Sequence, residues 1–488
     1  MSFSRNQIIF FGLVAHVVAA FFSVGYHQSD ELFQVYEFAG YRLGINKVED
    51  LPWEFAAQMR SGIQPFLVYG ITRCFHFFSV QNPFTIAFFI RLCMSLFAFA
   101  ATVKLLRVLD KEIRTQRLKD GLWAFGLLFW CLPYFHARFS AENFSASLFV
   151  FGLATVLNSR SLKAKSVDLF LAGAFFGVAF FCRFQMSFMI AGLLFWLIFI
   201  DKLMWQRLLL IVAGMLVAAV FGFLGDKWLY GQWVASPWNY LDLNLFQGKA
   251  SEFGREPFYF YILESLVQLI PPFSIFIIAA VIFFWLKFSK HVITWITLPF
   301  VLLHFCVAHK ELRFLFPMLN FLPFMILYCI QFLRENSVKA FKAIDKKWIL
   351  NLALAVNAIV LTYFMLKPAD NISYMQKKIY EIVQGDRPIL LYENTNPYNN
   401  IASLNYFRNA AIRTQDLKTD TADVKENKTI YYFSEKFGEQ DAVVKNKKTF
   451  IKLYSNFPVW VSYLNFNGWL ERTETFSIYK MKNTVADL

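Results

Sequence analysis

Two short stretches carry residue types that could do chemistry. His27-Gln28-Ser29-Asp30-Glu31 puts adjacent carboxylates just after the first long apolar segment. A carboxylate near bilayer depth is costly to desolvate, which makes it a functional candidate. Suitably placed, it takes the proton of an attacking hydroxyl. The plainer reading is a cap, with Ser29 or Asp30 starting a surface helix over 32–43. His309-Lys310-Glu311-Leu312-Arg313-Phe314 separates two apolar spans with two cations in a short loop. A planar guanidinium fork beside an ammonium suits a phosphate; otherwise the stretch is a solvated turn. The segment 226–261 holds Tyr230, Trp238, Asn239, Tyr240 and Asn244. It reads first as an interfacial aromatic belt, although aromatic faces and amides also suit sugars. Trp53, Glu54, Arg60 and Ser61 say little alone. Arg91, Arg138, Glu142 and Arg183 read as contacts inside a helix bundle, with Arg138 and Glu142 on the outer side.

The elements that must position these residues are membrane spans. The 488 residues are 57% hydrophobic and only 17% charged, against about a quarter charged in soluble domains. Apolar runs of span length recur. The net charge of +14 gathers in short loops at 104–119, 160–165, 202–207, 287–291 and 334–347. That is the positive-inside pattern and not a nucleic-acid surface. Placing those loops in the cytoplasm gives about eleven spans, near 6–26, 84–106, 121–135, 143–158, 167–182, 186–201, 208–224, 268–287, 292–308, 314–333 and 348–366. The stretch 64–80, with Arg73 and His76, then lies on the surface as an amphipathic helix. This topology puts the outer loops 27–83 and 225–267, the 309–313 loop and the tail on one non-cytoplasmic face. The first span reads as retained, without a cleaved leader.

The six cysteines, Cys74, Cys93, Cys131, Cys182, Cys306 and Cys329, all lie in apolar segments. They read as fillers, without metal-ligand spacing. The fold expected is mainly α: a transmembrane region over 1–366 and a small extramembrane α/β domain over 367–488. The tail shows β-like runs at 388–392, 429–433, 449–454 and 475–481, with a helix expected near 401–411. Asn371-Ile-Ser and Asn427-Lys-Thr are glycosylation acceptors in that tail.

Taken together, these stretches resemble the family-22 glycosyltransferases, the polyprenol-phosphate-mannose-dependent mannosyltransferases of GPI-anchor and N-glycan precursor assembly. The family's acidic pair, followed by Phe-Gln and a Glu, is similar to His27-Gln-Ser-Asp30-Glu31-Leu-Phe33-Gln34-Val-Tyr-Glu37. Its Trp-Glu, Arg-Ser and Pro pattern resembles Trp53-Glu54, Arg60-Ser61 and Pro65. Its loop pattern resembles Tyr230-Gly231, Asn239, Asn244 and Phe253-Gly254 through Pro257. Its His-Lys-Glu-x-Arg-Phe motif is complete at His309 to Phe314. The chain departs at Gln28-Ser29, where many members have Pro only. It also lacks a late Cys-His-Ser-Thr-Pro stretch, of which 393–398 is a distant echo.

The resemblance implies a polytopic GT-C fold and an inverting transfer of mannose to a glycolipid acceptor, forming an α-mannoside. It implies a polyprenyl- or dolichyl-phosphate mannose donor, with no cofactor and no metal. Asp30 would be the base and Glu31 its helper. His309, Lys310 and Arg313 would hold the donor phosphate, and Glu311 would hold the cations. Glu37, Trp53, Arg60, Tyr230, Asn239, Asn244 and Arg183 would support the substrates. Partners would be the two lipid-linked substrates and membrane lipids. The membrane would be endoplasmic reticulum or bacterial inner membrane, with the site on the non-cytoplasmic side. The rival readings are a GT-C enzyme for another polyprenyl-phosphate sugar, a lipid-linked sugar transporter, and an inactive assembly subunit. A transporter would show repeated halves with broken helices, which the sequence does not display.

Overall fold

Ser4 starts the first helix, Arg5–Phe22. Its hydroxyl accepts the Gln7 amide at 3.4 Å while the Gln7 side chain accepts the Ser4 amide at 2.8 Å, a reciprocal cap. The structure is a computed structural model that describes residues 4–159, 165–337, 347–385, 387–393, 396–398, 405–417, 429–435 and 450–481. Among the described residues, five helices are long and apolar enough to cross a membrane: Arg5–Phe22, Pro83–Glu112, Trp205–Tyr230, Leu312–Glu335 and Trp348–Leu366. The pair Phe273–Lys287 and Val292–Cys306, bent by 117°, makes a sixth if counted as one.

Several expected spans are shorter than a bilayer. Gln116–Leu128, Ser166–Cys182 and Met186–Phe199 have 13, 17 and 14 residues. At ~1.5 Å per residue they fall below a hydrocarbon core of ~30 Å. Length and apolarity alone therefore support five or six spans, and the larger count rests on the charge pattern. These shorter helices spend apolar residues on the bundle interior, where Trp123, Leu127, Phe176, Met189 and Leu193 join one core with Phe149 and Phe300.

Small residues let two helices touch backbone to backbone. A Cβ at Gly173 would stand 1.9 Å from the Ile211 carbonyl, and one at Gly214 would stand 2.0 Å from that of Phe170. Gly173 and Gly177 thus face Gly214 and Ala218, the close approach that small residues four apart permit in membranes. The C-terminal end of Trp205–Tyr230 is held the same way. A Cβ at Gly62 would meet the Gly225 carbonyl at 2.1 Å, and the Gly62 amide donates to Asp226 at 2.9 Å. That contact seats Ile63–Phe77, the helix expected on the surface; it buries Gln64, Val68 and Thr72 and exposes Phe66 and Phe77.

The tail forms a five-stranded sheet, order β2-β1-β3-β5-β4. Its strands are β1 Ile389–Tyr392, β2 Arg413–Asp416, β3 Ile430–Ser434, β4 Phe450–Ser455 and β5 Ser477–Met481. β1 runs parallel to β2 and β3, while β5 runs antiparallel to β3 and β4. The helix Asn371–Ile382, capped by Asp370, covers one face with Ile379 against Leu390, Tyr431, Phe433 and Ile478. Four strands fall on the expected runs. β2 does not, because Arg-Thr-Gln-Asp carries no apolar alternation and is ordered by its ladder to β1. The helix expected near 401–411 is not formed over 405–411, which is turn and coil; 401–404 lie outside the described residues. Asn427 is outside them too, while Asn371 donates to Glu474 at 2.9 Å.

The tail is tied to the membrane region at two places. The Ala369 amide donates to the Val24 carbonyl at 2.9 Å. Tyr406 and Phe407 join a core with Tyr36, Phe84 and Ile90. Between the first helix and Ile63–Phe77, the chain folds as short pieces: Ser29–Glu31, a widened π-helical stretch Leu32–Glu37, Phe38–Arg42, Val48–Asp50 and Trp53–Ala56.

Candidate active site

The loop that carries Asp30 is pinned from behind. Arg138 donates to the Gly25 carbonyl at 2.6 Å and to the Ser23 hydroxyl at 2.6 Å, fixing where the chain leaves the first helix. Glu31 is buried, accepting the His27 amide at 3.2 Å and the Phe139 amide at 3.0 Å. Its oxygens hold backbone, so it shapes the loop instead of orienting Asp30 directly. The capping reading is corrected here. Gln28 occupies the N-cap position of Ser29–Glu31 without a side-chain cap bond, and Asp30 is drawn elsewhere.

Asp30 meets Arg313, Oδ2 to Nη2, at 2.7 Å. Burial alone would raise this carboxyl, but the guanidinium of Arg313, then that of Arg60, outweighs it and holds it below its ordinary range. Arg313 begins the turn Leu312–Phe321. It also donates from Nε and Nη2 to Glu311, each at 2.8 Å, and its Nη1 lies 3.6 Å from Glu142. Glu142 is bound by Arg183 at 2.7 Å. The result is a chain of carboxylates and guanidiniums drawn from four separate segments.

Two cavities meet at this chain. A small polar one, about 40 Å³, is lined by Asp30, Glu31, Gln34, Arg60, Gln64, Glu142, Arg183, Tyr240 and Arg313. Arg60 Nε and Arg183 Nε and Nη2 are buried without hydrogen-bond partners, unusual for native donors. A larger apolar one, about 600 Å³, runs between Phe273–Lys287, Val292–Cys306 and Leu312–Phe321. Its lining includes Ile277, Val281, Trp285, Phe305 and Leu315, with His27, Arg313, Glu264 and Lys367 as polar members. Its size falls in the range of small-molecule sites. His27 packs against Tyr134, Phe135 and Phe316. Burial, then Arg138, lowers it to about 4, so it is neutral at pH 7 and presents no cation.

The other expected residues divide into those at the cavities and those behind them. Lys310 is buried, its ammonium donating to the Glu256 and Val307 carbonyls at 3.0 and 2.6 Å. It clamps backbone, where a cation on a phosphate was expected. Glu311 holds Arg313 and His309, the latter at 3.1 Å, but not Lys310. Glu37 sits away from the cavities. It accepts Asn46 Nδ2 at 2.6 Å and the Tyr406 amide at 3.2 Å, anchoring the tail. Burial raises it to about 7. Trp53 stacks on Phe253 at 5.6 Å, joining the two large loops. Tyr230 brackets Arg60, accepting its amide at 3.3 Å and donating to its carbonyl at 2.7 Å. Asn239 donates to the Gln58 carbonyl at 3.1 Å, and Asn244 to that of Tyr240 at 2.9 Å. These last three brace the loops around Arg60, whose guanidinium lies 5.5 Å from the Tyr240 ring centre.

Glu142 and Lys367 line the two cavities but were not among the expected site residues. Glu142 stands at the start of an apolar helix, where it looked like a bundle contact. Lys367 follows the last apolar segment, as the first residue of the tail. Among the described residues no cluster of three or more His, Cys, Asp or Glu could hold a metal ion.

Residues 7–388 match the Alg9-like mannosyltransferase family. GPI mannosyltransferase 3 of Yarrowia lipolytica is 26% identical over 317 residues, covering 64% of this chain and 59% of that one. GPI alpha-1,2-mannosyltransferase 3 of Bos taurus is 22% identical over 317 residues, covering 63% and 55%. The chain thus spans somewhat over half the length of the curated relatives it matches across 317 residues. In fold, it resembles the crystal structure of ArnT from Cupriavidus metallidurans bound to undecaprenyl phosphate, with a TM-score of 0.50, 11% identity and 97% of each chain covered.

Proposed function

The chain belongs to the Alg9-like mannosyltransferase family, and from that premise we propose that it moves mannose from a polyprenyl-phosphate donor to a hydroxyl of a glycolipid acceptor. It is an integral membrane protein of GT-C fold with a small C-terminal α/β domain. The observation that carries the proposal is Arg313, which lines both the apolar cavity of about 600 Å³ and the small polar one beside Asp30. A lipid-linked phosphate has the same two-part character, an apolar chain ending in an anion. The structural relative ArnT was crystallised with undecaprenyl phosphate, and a ligand of that class suits this cavity.

In the proposed reaction the acceptor oxygen attacks C1 of the donor mannose from the face opposite the phosphate. The bond from C1 to the phosphate oxygen breaks, and the configuration inverts. Asp30 takes the acceptor proton. The phosphate leaves with its negative charge, neutralised by Arg313 and Lys367, and needs no proton. While Arg313 is bound to Asp30 and no phosphate is present, that carboxylate is a weak base. A phosphate that draws on the same guanidinium releases Asp30 and strengthens it as the acceptor hydroxyl arrives. The unpaired donors of Arg60 and Arg183 would bind sugar oxygens in the polar cavity. Glu31, at the wall of the polar cavity, and Arg138 and Lys310 behind it would act by fixing loops.

The site is proposed to face the non-cytoplasmic side. The loops 27–83 and 225–267, the 309–313 turn and the tail touch one another in the structure, which supports one shared face. The basic loops between spans support the opposite face as cytoplasmic. The reading fits endoplasmic reticulum or a bacterial inner membrane. The test is to incubate the purified protein with radiolabelled polyprenyl-phosphate mannose and a panel of glycolipid acceptors. The expected product is an acceptor whose label is released by α-mannosidase. Label that is transferred but resists that enzyme would overturn the inverting assignment.

A further inference from the structure

Between β4 and β5 the chain makes an excursion that turns large rings outward. Two short 3-10 segments, Val459–Leu464 and Phe466–Arg472, are closed by their own hydrogen bonds. Trp469 Nε1 donates to the Leu464 carbonyl at 2.6 Å, the Leu470 amide to Asn465 at 2.9 Å, and Arg472 to the Asn467 carbonyl at 2.8 Å. Val461 and Leu470 are turned inward. Trp460, Tyr463 and Phe466 are turned out, at 59, 81 and 74% exposed. A built surface that holds rings of this size in the open marks a binding face.

The feet of the excursion stand where two spans leave the membrane. Asn456 Nδ2 donates to the Glu474 carbonyl at 2.9 Å, and the Glu474 carboxylate accepts Asn371 Nδ2 at 2.9 Å. Asn371 opens the helix that follows Trp348–Leu366. Ala369 is bonded to Val24, just past the end of Arg5–Phe22. The last turns of those two spans expose Phe21, Phe22, Tyr363 and Leu366, as lipid-facing helices do. The feet of the excursion therefore stand beside an apolar belt suited to lipid.

We propose that the 458–472 excursion lies in the headgroup layer of the adjoining leaflet, with Trp460, Tyr463 and Phe466 inserted. The C-terminal domain then rests on the bilayer instead of standing in water. Trp and Tyr suit that layer because each joins an apolar ring to a polar tip. The excursion bears Glu471 and Arg472, one charge of each sign, and no basic cluster. Its adhesion is apolar, so it needs no anionic lipid and does not weaken with salt. This inference does not depend on the transfer chemistry proposed above.

The test uses the full-length protein, one copy per nanodisc, in phosphatidylcholine carrying a diazirine near the headgroup. After illumination, mass spectrometry maps lipid adducts, and hydroxyl-radical footprinting on a parallel sample maps water access. Adducts are expected on 458–472 as well as on the span ends, with equal yield at low and high salt. Replacing the three rings together (Trp460→Ser, Tyr463→Ser, Phe466→Ser) should lower adducts on the excursion several-fold and leave those at Phe21 and Leu366 unchanged. Rings that are fully oxidised and carry no adduct would overturn the proposal. Rings shielded from radicals but free of adducts would also overturn it, assigning the face to a protein partner or a second copy.

Discussion

Asp30 and Arg313 stand 283 positions apart in the chain and 2.7 Å apart in space. The acid comes from the loop after the first helix, and the guanidinium comes from the turn that opens Leu312–Glu335. Arg313 is shared with Glu311 and approached by Glu142, so its fork is the common partner of three carboxylates.

Asp30→Asn should keep the fold, since Arg313 retains Glu311, and should lower kcat by about 10²- to 10⁴-fold, the usual contribution of a positioned base. Initial rates with labelled donor, beside thermal melting in detergent, check this. Near-normal turnover would remove Asp30 from the reaction.

Arg313→Lys keeps one charge but loses the planar fork. It should lower kcat on the order of 10²-fold, comparable to losing one oxyanion donor. Arg313, then Arg60, hold Asp30 low against the upward push of burial, so weaker pairing lets it rise. Activity that needs ionised Asp30 should then set in at higher pH, moving the acid limb of the kcat/KM profile upward. A limb that stays in place or moves down contradicts the pairing.

Lys367→Ala and Lys310→Ala should separate cleanly. Lys367 lines the apolar cavity with Arg313, so its loss should raise KM for the donor and leave melting unchanged. Lys310 holds two carbonyls. Its loss should cost about 1–3 kcal/mol of stability through the unpaired groups, read as an earlier thermal transition. The reverse pattern would restore Lys310 to the phosphate.

Glu37→Gln should flatten the pH dependence of stability. Burial raises the folded-state value to about 7, above the unfolded carboxylate range, so the folded chain binds the proton more tightly. Stability from this group therefore falls as pH rises from about 4.5 to about 7, by roughly 3 kcal/mol in all, and the loss is complete above that window. The amide does not ionise and should show no such slope. Melting temperatures from pH 5 to 8 for the two proteins decide it; parallel curves would refute the assignment.

The residues that line the candidate site were readable wherever charge stood out against an apolar background. Asp30 and Arg313 qualified because each interrupts a long hydrophobic run. Lys310 qualified equally, although charge bias reports that a cation is present but not whether it points to a cavity or, as here, to two carbonyls. Glu142 escaped because a charge at the start of an apolar helix looks the same whether it faces a ligand or a bundle. Four strands of the tail were legible through apolar runs such as Ile389–Tyr392, whereas Arg413–Asp416 owes its strand to its partner. The lengths of the short helices were not legible, because hydropathy does not distinguish lipid from protein as the neighbour.

Glu37 binds the Tyr406 amide, Thr72 meets the Tyr406 hydroxyl at 2.8 Å, and Phe407 stacks 4.9 Å from Phe84. The tail residue thus plugs into a socket made by the first outer loop and the helix behind it. Chimeras that exchange tails between relatives will have to move plug and socket together. A foreign tail would leave the Glu37 carboxylate facing an empty recess a few residues from Asp30.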